Sequence, residues 1–267
     1  MGYTFVIGSF NTQFLNYNTS KCPKIDCVAS IIASEYFDLV ALQEVCREEA
    51  LSELCSKLPG KWEYDYSNPP AQKYGRAYVW NADRLKVIKP PFIRTDYHVN
   101  EKHVRLKREP YYARFTPDGL GGPAIEIRLI NLHLEPTMKS ISELEYLTVS
   151  EEILPKFSKY IEIDDDFYMP AYTISLGDYN LTVHKCNSIS EQNEVHAVQY
   201  LPTTVSSKFD RYTDNDLDHF SYISSDFEGF GIEVERIDAV QKYCDGDFSK
   251  YRDCVSDHVP IKITLSF

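Results

Sequence analysis

The sequence predicts an α/β protein of the α+β type, with mostly antiparallel sheets and helices packed outside them. Strand-like runs outnumber helical ones, and several neighbouring runs lie close enough in the chain to form hairpins. A hydrophobic content of 43% in 267 residues can fill a sizeable core. Because no linker-like stretch or internal repeat divides the chain, we expect one domain over residues 1–267.

Apolar runs predict the strands, and apolar residues at helical spacing predict the helices. In chain order, the predicted strands are 3–10, 38–42, 77–80, 85–88, 111–115, 125–134, 171–176, 217–223, 232–240 and 259–265. The predicted helices are 25–36, with Val28, Ile31, Ile32 and Tyr36 at helical spacing, and 48–58, ended by Pro59-Gly60. A third is opened by the capping-box pattern Ser142-Glu143-Leu144-Glu145 and runs to about residue 160. Residues 182–216 are less regular, which indicates a mixture of helix and loop.

The formal net charge of −12 argues against loose, sequence-blind binding to a polyanion. The charge is uneven, because segment 73–108 holds ten Lys and Arg residues against three acidic ones. That segment carries about +7 and the remainder of the chain about −19. An acidic body with one basic stripe steers a phosphate chain to one face, whereas an ordinary solvated surface groups such residues by chance. The sequence leaves both interpretations open.

Seven cysteines, none of them in a C-x-x-C pair, argue against a structural zinc site and favour a reduced setting. We therefore expect an intracellular protein, cytoplasmic or nuclear; in an exported protein, Cys22 with Cys27 or Cys244 with Cys254 could form disulfides. Residues 1–10 lack the apolar centre of a signal peptide, and no apolar run approaches the length of a membrane span. We expect no membrane insertion and a monomer.

Acidic, amide and imidazole side chains stand at the edges of strand-like runs. Gly177-Asp178-Tyr179-Asn180 follows one such run, and Ser256-Asp257-His258 precedes another. Strand ends are rigid positions from which polar groups can be aimed at one point, where they suit a hard divalent cation and a phosphate. Asp178 and Asn180 share a side of an extended segment, so one can orient water while the other donates an N–H to a phosphate oxygen. The same pattern is also typical of an Asx turn.

Three further residues have both a functional and a structural interpretation. Glu44 follows an apolar run, where a carboxylate needs a partner such as Mg²⁺, or else it is an acid at a helix N-terminus. Asn11 alone is typical of a turn at a strand end. His133 lies between two leucines, where a histidine is usually a hydrogen-bonded core residue. His133 indicates catalysis only because other strand ends supply carboxylates.

Two acid–histidine pairs, Asp218-His219 and Asp257-His258, stand beside apolar runs. A histidine needs a partner to fix its tautomer and stabilise its charged form. Asp218 could orient His258 from a neighbouring strand, and we interpret His219 as structural.

These motifs follow one another along the chain in a fixed order: Asn11, Gln43-Glu44, Asn131-Leu132-His133, Gly177-Asp178-Tyr179-Asn180, Leu217-Asp218-His219 and Ser256-Asp257-His258. Their order resembles the endonuclease/exonuclease/phosphatase superfamily, which includes deoxyribonuclease I, over residues 10–265. The resemblance implies a four-layer α/β/β/α sandwich of two mixed, mostly antiparallel sheets. It also implies a Mg²⁺-dependent phosphodiesterase, with Mn²⁺ as a substitute metal, whose site lies at the tops of the sheets.

The resemblance also implies roles for residues of this chain. Glu44 matches the main metal ligand, with Asn11 and Asp257 helping to position metal or water. Asp178 and Asn180 match residues that orient the attacking water and the phosphate. The remaining matches are the acid/base and phosphate-binding histidines, namely His258 with its partner Asp218, and His133. Which histidine is the acid and which the base stays open.

Within the superfamily, several segments look closest to the deoxyribonuclease I group and imply a nucleic acid substrate, DNA rather than RNA. Arg108-Glu109-Pro110 before strand 111–115 resembles the strand whose arginine contacts backbone phosphate, and Arg76 is a second candidate contact. One departure is visible, because the arginine expected two residues after the glutamate is Cys46, with Arg47 one place later.

Other members stay as alternatives. The segment His133-Leu134-Glu135-Pro136-Thr137, with Asn180-Leu181, is similar to tyrosyl-DNA phosphodiesterases, which process DNA ends. Sphingomyelinases usually add an exposed apolar hairpin, and inositol phosphatases carry Cys-Asp-Arg where this chain has Leu217-Asp218-His219, so both rank lower. A catalytically silent binding module would usually lack one of the metal or histidine positions, all of which this sequence retains.

Overall fold

The computed structural model describes residues 3–19, 22–67, 73–99, 102–118, 125–158 and 170–267. Two six-stranded sheets pack face to face, and helices cover the outer faces. This arrangement is the four-layer α/β/β/α sandwich that the resemblance implies, so the predicted fold class is confirmed.

In chain order, the strands are β1 (Thr4–Leu15), β2 (Leu39–Val45), β3 (Trp62–Ser67), β4 (Gly75–Asn81), β5 (Leu85–Ile93), β6 (Tyr97–Val99), β7 (Lys102–Val104), β8 (Tyr111–Pro117), β9 (Glu126–His133), β10 (Ala171–Asp178), β11 (Val195–Val198), β12 (Asp218–Ile223), β13 (Gly231–Arg236) and β14 (Ile261–Ser266). The helices are α1 (Lys24–Ser34), α2 (Glu48–Ser56), α3 (Lys139–Thr148), α4 (Leu154–Ser158), α5 (Val183–Ile189), α6 (Ala239–Cys244) and α7 (Phe248–Cys254). A π-helical turn, Val149–Ile153, joins α3 to α4, and Ser224–Phe227 forms a 3-10 turn.

The first sheet has the order β13-β14-β1-β2-β4-β3, and the second has β11-β12-β10-β9-β8-β5. One described pair in each sheet is parallel, β1–β2 in the first and β9–β10 in the second. The other pairs between the strands named above are antiparallel, including the separate β6–β7 hairpin. Parallel neighbours matter here because they bring two carboxyl ends to the same edge of a sheet.

Three hydrophobic clusters hold the four layers together, one at each interface. Ile31 of α1 and Leu42 of β2 belong to the cluster under the helices of the first sheet. Ile7 of β1 and Leu129 of β9 meet in the cluster between the sheets. Ile130 points the other way from Leu129, because side chains alternate along a strand, and packs under α3. Each such side chain stabilises the fold by about 1.5–3 kcal/mol when fully buried.

The predicted strand over residues 232–240 is wrong in its second half. β13 ends at Arg236, and α6 begins at Ala239. The Asp238 side chain accepts a hydrogen bond from the backbone N–H of Gln241 (3.2 Å), which caps the helix. A helix cap therefore ends the extended run that the apolar pattern alone would continue.

The helix predicted to open at Ser142 begins earlier, at Lys139. Ser142 lies inside the helix, and its hydroxyl donates to the carbonyl oxygen of Glu135 (2.8 Å). The Glu145 carboxylate accepts hydrogen bonds from the backbone N–H groups of Lys107 (2.7 Å) and Glu135 (2.8 Å). The Ser–Glu pattern thus anchors two loops and caps no helix. The predicted helix end near residue 160 lies outside the described residues.

Sequence analysis missed β3, the β6–β7 hairpin and α7, and it left α5 and β11 inside an irregular stretch. It also placed Tyr36 on the apolar face of the first helix, but α1 ends at Ser34 and Tyr36 is exposed beyond it, with φ of 56°. All but one of the residues of β3 are half-buried, so its sequence lacks the alternation that reveals a strand. None of the seven cysteines forms a disulfide. A membrane-crossing helix of sufficient length and apolarity is absent from the described residues.

The basic segment 73–108 does not form one continuous stripe. Arg84 donates to the carbonyl oxygen of Thr4 (2.8 Å) at the beginning of β1. Arg76 and Arg108 lie instead near the opposite edge of the sandwich, where the charge of each acts on His133. The segment therefore divides between two ends of the molecule, and only part of it can serve the candidate site.

Candidate active site

The two parallel strand pairs end at one edge of the sandwich, and the predicted site residues lie together there. Asn11 lies on β1 and Glu44 on β2, both in the first sheet. His133 ends β9 and Asp178 ends β10, and these two residues pair in register in the second sheet. A hydrogen bond from Asn11 to Asp178 (3.0 Å) crosses between the sheets. The site is therefore built jointly by both sheets.

Asp178 is the centre of this cluster and is only 2% exposed. Its Oδ2 accepts the hydrogen bond from Asn11 and lies 3.5 Å from His133 Nε2 and 3.8 Å from His258 Nε2. Its Oδ1 accepts from the backbone N–H of Asn180 (3.0 Å). Burial raises the pKa of Asp178 to about 7, although the charge of His258 opposes the shift. A carboxyl group that titrates near neutrality can both accept and release a proton.

His258 is held as an imidazolium by two carboxylates. Its Nδ1 lies 2.6 Å from Asp218 Oδ2, as expected from the order of the motifs. Burial alone would lower the pKa of His258, but Asp218 and Asp178 outweigh it and raise the pKa to about 10. Tyr251 fixes the backbone by donating its hydroxyl to the His258 carbonyl oxygen (2.9 Å). His258 therefore carries a positive charge and one unshared N–H at Nε2.

His133 has the opposite charge state. Burial lowers the pKa of His133 well below its ordinary value, and the positive charges of Arg108 and Arg76 lower it further. Its Nε2 lies 3.7 Å from Glu44 Oε1 and 3.5 Å from Asp178 Oδ2. The site therefore pairs a neutral imidazole with the charged imidazole of His258.

Strained and close-packed backbone aims these side chains. Glu44 has φ of 59° and Asn180 has φ of 51°, a left-handed conformation that costs roughly 1–2 kcal/mol for residues other than glycine. Gly177 has φ of 145°, and a Cβ there would lie 2.0 Å from the Leu132 carbonyl oxygen. Glycine is thus needed for β10 to approach β9 beside the site.

The predicted metal ligands Glu44, Asp257 and Asn11 have the donor chemistry that suits Mg²⁺. Burial raises the pKa of Glu44, which His258 opposes and the neighbouring charge of Asp257 reinforces. A desolvated carboxylate beside a second carboxylate favours a cation. Across the described ranges, no three or more His, Cys, Asp or Glu residues could hold a metal ion by themselves. Magnesium commonly binds through one or two carboxylates and completes its shell with water, so these residues fit it.

The two predicted phosphate-binding arginines differ in exposure. Arg108 is half-buried, and its charge acts on both Glu44 and His133. Arg76 is only 2% exposed, and burial lowers its pKa to about 10. This burial does not favour a direct contact between Arg76 and a substrate phosphate, and that role of Arg76 stays a prediction. Arg76 affects the site electrostatically, because its buried positive charge helps to lower the pKa of His133.

Comparison with known proteins identifies the fold. No protein-family model matches the sequence, and no curated protein matches it. Solved structures do match: an endonuclease/exonuclease/phosphatase family protein from Bacteroides thetaiotaomicron has a TM-score of 0.67 at 16% identity, covering 100% of this chain and 96% of that chain. The chain has the endonuclease/exonuclease/phosphatase fold.

Two other structures with the endonuclease/exonuclease/phosphatase fold carry more specific descriptions. TDP2 from D. rerio, complexed with a single-strand DNA product, has a TM-score of 0.66 at 18% identity, with 98% of each chain covered. A mannosyl-6-phosphatase from Bacteroides thetaiotaomicron has a TM-score of 0.65 at 17% identity, covering 98% of this chain and 100% of that chain. At these identities the shared property is the fold, and the resemblance drawn from the motifs is confirmed at that level.

A pair of buried amides joins the two sheets beneath the site of this endonuclease/exonuclease/phosphatase fold. Gln43 Nε2 donates to Asn131 Oδ1 (2.9 Å), across the interface between the sheets. Asn131 Nδ2 donates to the carbonyl oxygens of Leu42 and Ala77 (3.1 Å each). Sequence analysis quoted both amides within motifs without assigning them this role. Their signal was available, since an amide inside an apolar run must find a partner when buried.

Two residues, Gln13 and Ser256, make hydrogen bonds that sequence analysis did not predict. Gln13 Oε1 accepts from the backbone N–H of Asp257 (3.1 Å). Ser256 Oγ donates to the carbonyl oxygen of Asn11 (2.7 Å) and accepts from the backbone N–H of His258 (3.0 Å). These residues tie the loop before β14 to β1. Adjacency to a predicted site residue was their only signal in the sequence.

His219 is structural in its contacts, as the sequence interpretation expects. Its ring stacks on Tyr179, with centroids 3.7 Å apart, and it is fully buried. Burial lowers the pKa of His219 to about 3, so the folded protein keeps this ring neutral. The unfolded chain takes up a proton on His219 below about pH 6.5, and stability therefore falls as the pH drops from there towards 3.

We expect His219→Phe to remove this acid sensitivity, because a phenyl ring can stack on Tyr179 without titrating. The wild-type free energy of unfolding should fall by about 2 kcal/mol more than that of the variant between pH 7 and pH 5. Urea unfolding at several pH values measures this difference. His196→Phe, at an exposed position on β11, is the control and should keep the wild-type slope. Parallel pH profiles for wild type and His219→Phe would contradict the assignment.

Proposed function

We propose that this protein is a divalent-metal-dependent phosphodiesterase that hydrolyses nucleic acid. The observation that carries the proposal is the convergence of Asn11, His133 and His258 on the Asp178 carboxylate, from both sheets. An acid that titrates near neutrality, a neutral imidazole and an imidazolium are the groups that this hydrolysis requires. The fold supports the same reaction class, since similar structures include TDP2 and a phosphatase.

The charge states suggest how the residues divide the work. Ionised Asp178 can orient the attacking water and accept its proton, with Asn180 fixing the carboxylate through its backbone N–H. His258 engages Asp218 through Nδ1, so its Nε2–H is available to the phosphate or the leaving oxygen. Neutral His133 can hydrogen-bond a phosphoryl oxygen. In this assignment His258 is the general acid and Asp178 is the general base. Neither histidine is then the base, and His133 binds phosphate.

Glu44, together with Asp257 and Asn11, would hold the divalent cation, Mg²⁺ or its substitute Mn²⁺. When bound, the cation supplies positive charge that stabilises the negative charge developing on the phosphate. The half-buried Arg108 adds a second positive charge on the same side as Glu44 and His133. An arginine matches two phosphate oxygens at once, so Arg108 is the residue we assign to backbone phosphate.

Two finer assignments remain as proposals within this class. The motifs around Arg108 favour an endonuclease similar to deoxyribonuclease I. An end-processing phosphodiesterase is the second candidate, favoured by the similarity to TDP2 in complex with single-strand DNA product. Both assignments use the same reacting groups and differ in whether the substrate is cut internally or at an end.

A substrate panel tests the proposal. Supercoiled plasmid, single-stranded DNA, RNA, an oligonucleotide with a 5′-tyrosyl end, and a sugar phosphate are each incubated with Mg²⁺, with Mn²⁺ and with EDTA. We expect metal-dependent cleavage of a nucleic acid substrate and none in EDTA. Plasmid nicking would favour the endonuclease, and release of tyrosine alone would favour end processing. Hydrolysis of the sugar phosphate without any nucleic acid cleavage would refute the proposed substrate class.

A further inference from the structure

Three aromatic rings, one on β1, one just after β1 and one just before β4, are not used by the proposed chemistry. Phe14 is 44% exposed and Tyr17 is 55% exposed, although large rings of this kind are usually well buried. The rings of Phe14 and Tyr74 are 4.5 Å apart between centroids and inclined by 39°. We call Phe14, Tyr17 and Tyr74 the aromatic platform. Exposure alone does not distinguish these rings, since Tyr36 is 83% exposed. Their grouping does, because a contiguous exposed patch marks an interaction site whereas a single exposed ring does not.

Strand register puts the platform beside the candidate site. Leu15 of β1 pairs with Val45 of β2, and Val45 pairs with Gly75 of β4. Because β1 and β2 are parallel, the preceding residues Phe14 and Glu44 are neighbours across that pair. Because β4 is antiparallel to β2, Tyr74 lies instead on the Cys46 side of Val45. Neighbouring strands are about 4.8 Å apart, so the backbone of Phe14 lies at about that spacing from Glu44. Lys73, the residue before Tyr74, lies close enough to Glu44 for the carboxylate to add to the rise in the pKa of the Lys73 ammonium that Tyr74 causes.

A bulge in β1 with unusual backbone angles directs Phe14 outward. The β1–β2 register shifts between Asn11 and Leu15, and within this bulge Gln13 has φ of 43° and Phe14 has φ of 68°. Lys24 holds the bulge by donating from Nζ to the carbonyl oxygens of Thr12 (3.0 Å) and Gln13 (2.5 Å). Strain of this kind is maintained chiefly at functional sites, where bulges re-aim side chains. Here it projects Phe14 to the surface while the Gln13 side chain holds the backbone of Asp257.

Cations accompany the rings of the platform. The Arg47 guanidinium carbon lies 3.8 Å from the centroid of the Tyr17 ring. Lys73 Nζ lies 5.0 Å from the centroid of Tyr74 and 5.9 Å from that of Phe14. On a chain with a net charge of −12, this local combination of rings and positive charge is distinctive. Proteins that hold single-stranded nucleic acid use the same combination, stacking bases on rings and neutralising phosphates with cations.

We propose that the aromatic platform stacks unpaired bases of a single-stranded nucleic acid next to the phosphate that is cleaved, with Arg47 and Lys73 contacting neighbouring phosphates. This inference rests on the proposed function, because it assumes that the nucleic acid cleaved beside Glu44 continues across the platform. A duplex keeps its bases stacked on one another, so the platform selects single strands over duplex of the same length. Stacking tolerates any base, so the selection has little dependence on sequence.

The test measures binding without cleavage. A fluorescein-labelled thymidine oligonucleotide of about 12 nucleotides is titrated with the full-length protein in EDTA, and fluorescence anisotropy gives the Kd. Phe14→Ala and Tyr17→Ala should each raise the Kd by about 5- to 100-fold. Phe14→Leu keeps an apolar side chain without a ring and guards against loss of folding. The matched control is Tyr36→Ala, an 83% exposed ring with φ of 56° just before β2, at its opposite end from Glu44.

Hydrolysis of bis(p-nitrophenyl) phosphate with Mg²⁺ separates this inference from the proposed function. The platform variants should hydrolyse this small diester at the wild-type rate while binding the oligonucleotide more weakly. Equal oligonucleotide affinity for wild type, Phe14→Leu and Tyr17→Ala would overturn the platform, as would equal binding of a duplex. Failure of wild type to hydrolyse any phosphate ester would refute the proposed function instead, and the binding measurement in EDTA would still decide on the platform.

Discussion

Replacing Asp178 with asparagine is expected to lower the hydrolytic rate by on the order of 10²–10⁴-fold while leaving the protein folded. The amide has nearly the same shape as the carboxyl group, but it cannot accept a proton from water. Asp178 also balances the charge of His258, whose Nε2 lies 3.8 Å away. The variant therefore loses a proton acceptor and perturbs the acid at the same time.

Stability should respond differently from activity. Burial raises the pKa of Asp178 to about 7, so a neutral side chain is better suited to this position than an ionised one. The variant loses one of the two hydrogen bonds from Asn11 and Asn180, and the opposing effects should keep the free energy of unfolding within about 1 kcal/mol of wild type. Single-turnover rates and urea unfolding measure the two quantities separately. Asp118→Asn, at the far end near Lys86, is the control for activity.

A wild-type rate in Asp178→Asn would exclude the proposed base. A large loss of stability together with a large loss of rate would leave only a structural role for the carboxylate. The proposal therefore requires the rate to fall while the unfolding curve stays close to that of wild type.

Replacing Glu44 with glutamine is expected to weaken metal binding and to lower the metal-dependent rate of hydrolysis by about 10²–10³-fold. An amide oxygen is a much weaker ligand for Mg²⁺ than a carboxylate, because the ligand charge is lost. Metal binding can be measured without catalysis, since a ligand that binds the folded state raises the melting temperature. Wild-type Tm should rise with Mg²⁺ or Mn²⁺, and this rise should disappear in Glu44→Gln.

The matched control is Glu63→Gln on β3, whose carboxylate pairs with Lys61 at 2.7 Å outside the site. It should keep the metal-dependent rise in Tm, because an exposed pair of this kind contributes little to stability. An equal rise in Tm for wild type and Glu44→Gln would remove Glu44 from the metal site. The other candidate ligands, Asp257 and Asn11, would then be tested in the same way.

The sequence predicted which candidate site residues lie together better than it predicted their protonation states. Asp178 follows an apolar run and His133 lies within one. Their convergence could be predicted because strand ends of a two-sheet sandwich meet at one edge. Their protonation could not be predicted, since it depends on burial and on charges far away in the chain. Arg76 illustrates the limit, because its sequence position suggested a surface contact and the fold buries it beside His133.

The errors in secondary structure have a similar origin. Residues 239 and 240 look like the continuation of β13 until the Asp238 side chain is seen to cap α6. Ser142 and Glu145 match a capping box, but both side chains bond to loops that are distant in the sequence or outside the helix. In each instance a tertiary contact overrides a local preference, and no single sequence records such contacts.

The hydrogen bond between Gln43 and Asn131 bears on the proposed chemistry because it fixes the two sheets relative to each other. The candidate site residues are divided between the two sheets. The hydrogen bond between these two amides restrains one sheet from shifting relative to the other. A slip of about 1 Å at an active site can cost 10²-fold in rate. We therefore expect moderate heating to lower the proposed hydrolytic rate by misaligning the candidate site residues at temperatures below those that separate the two sheets.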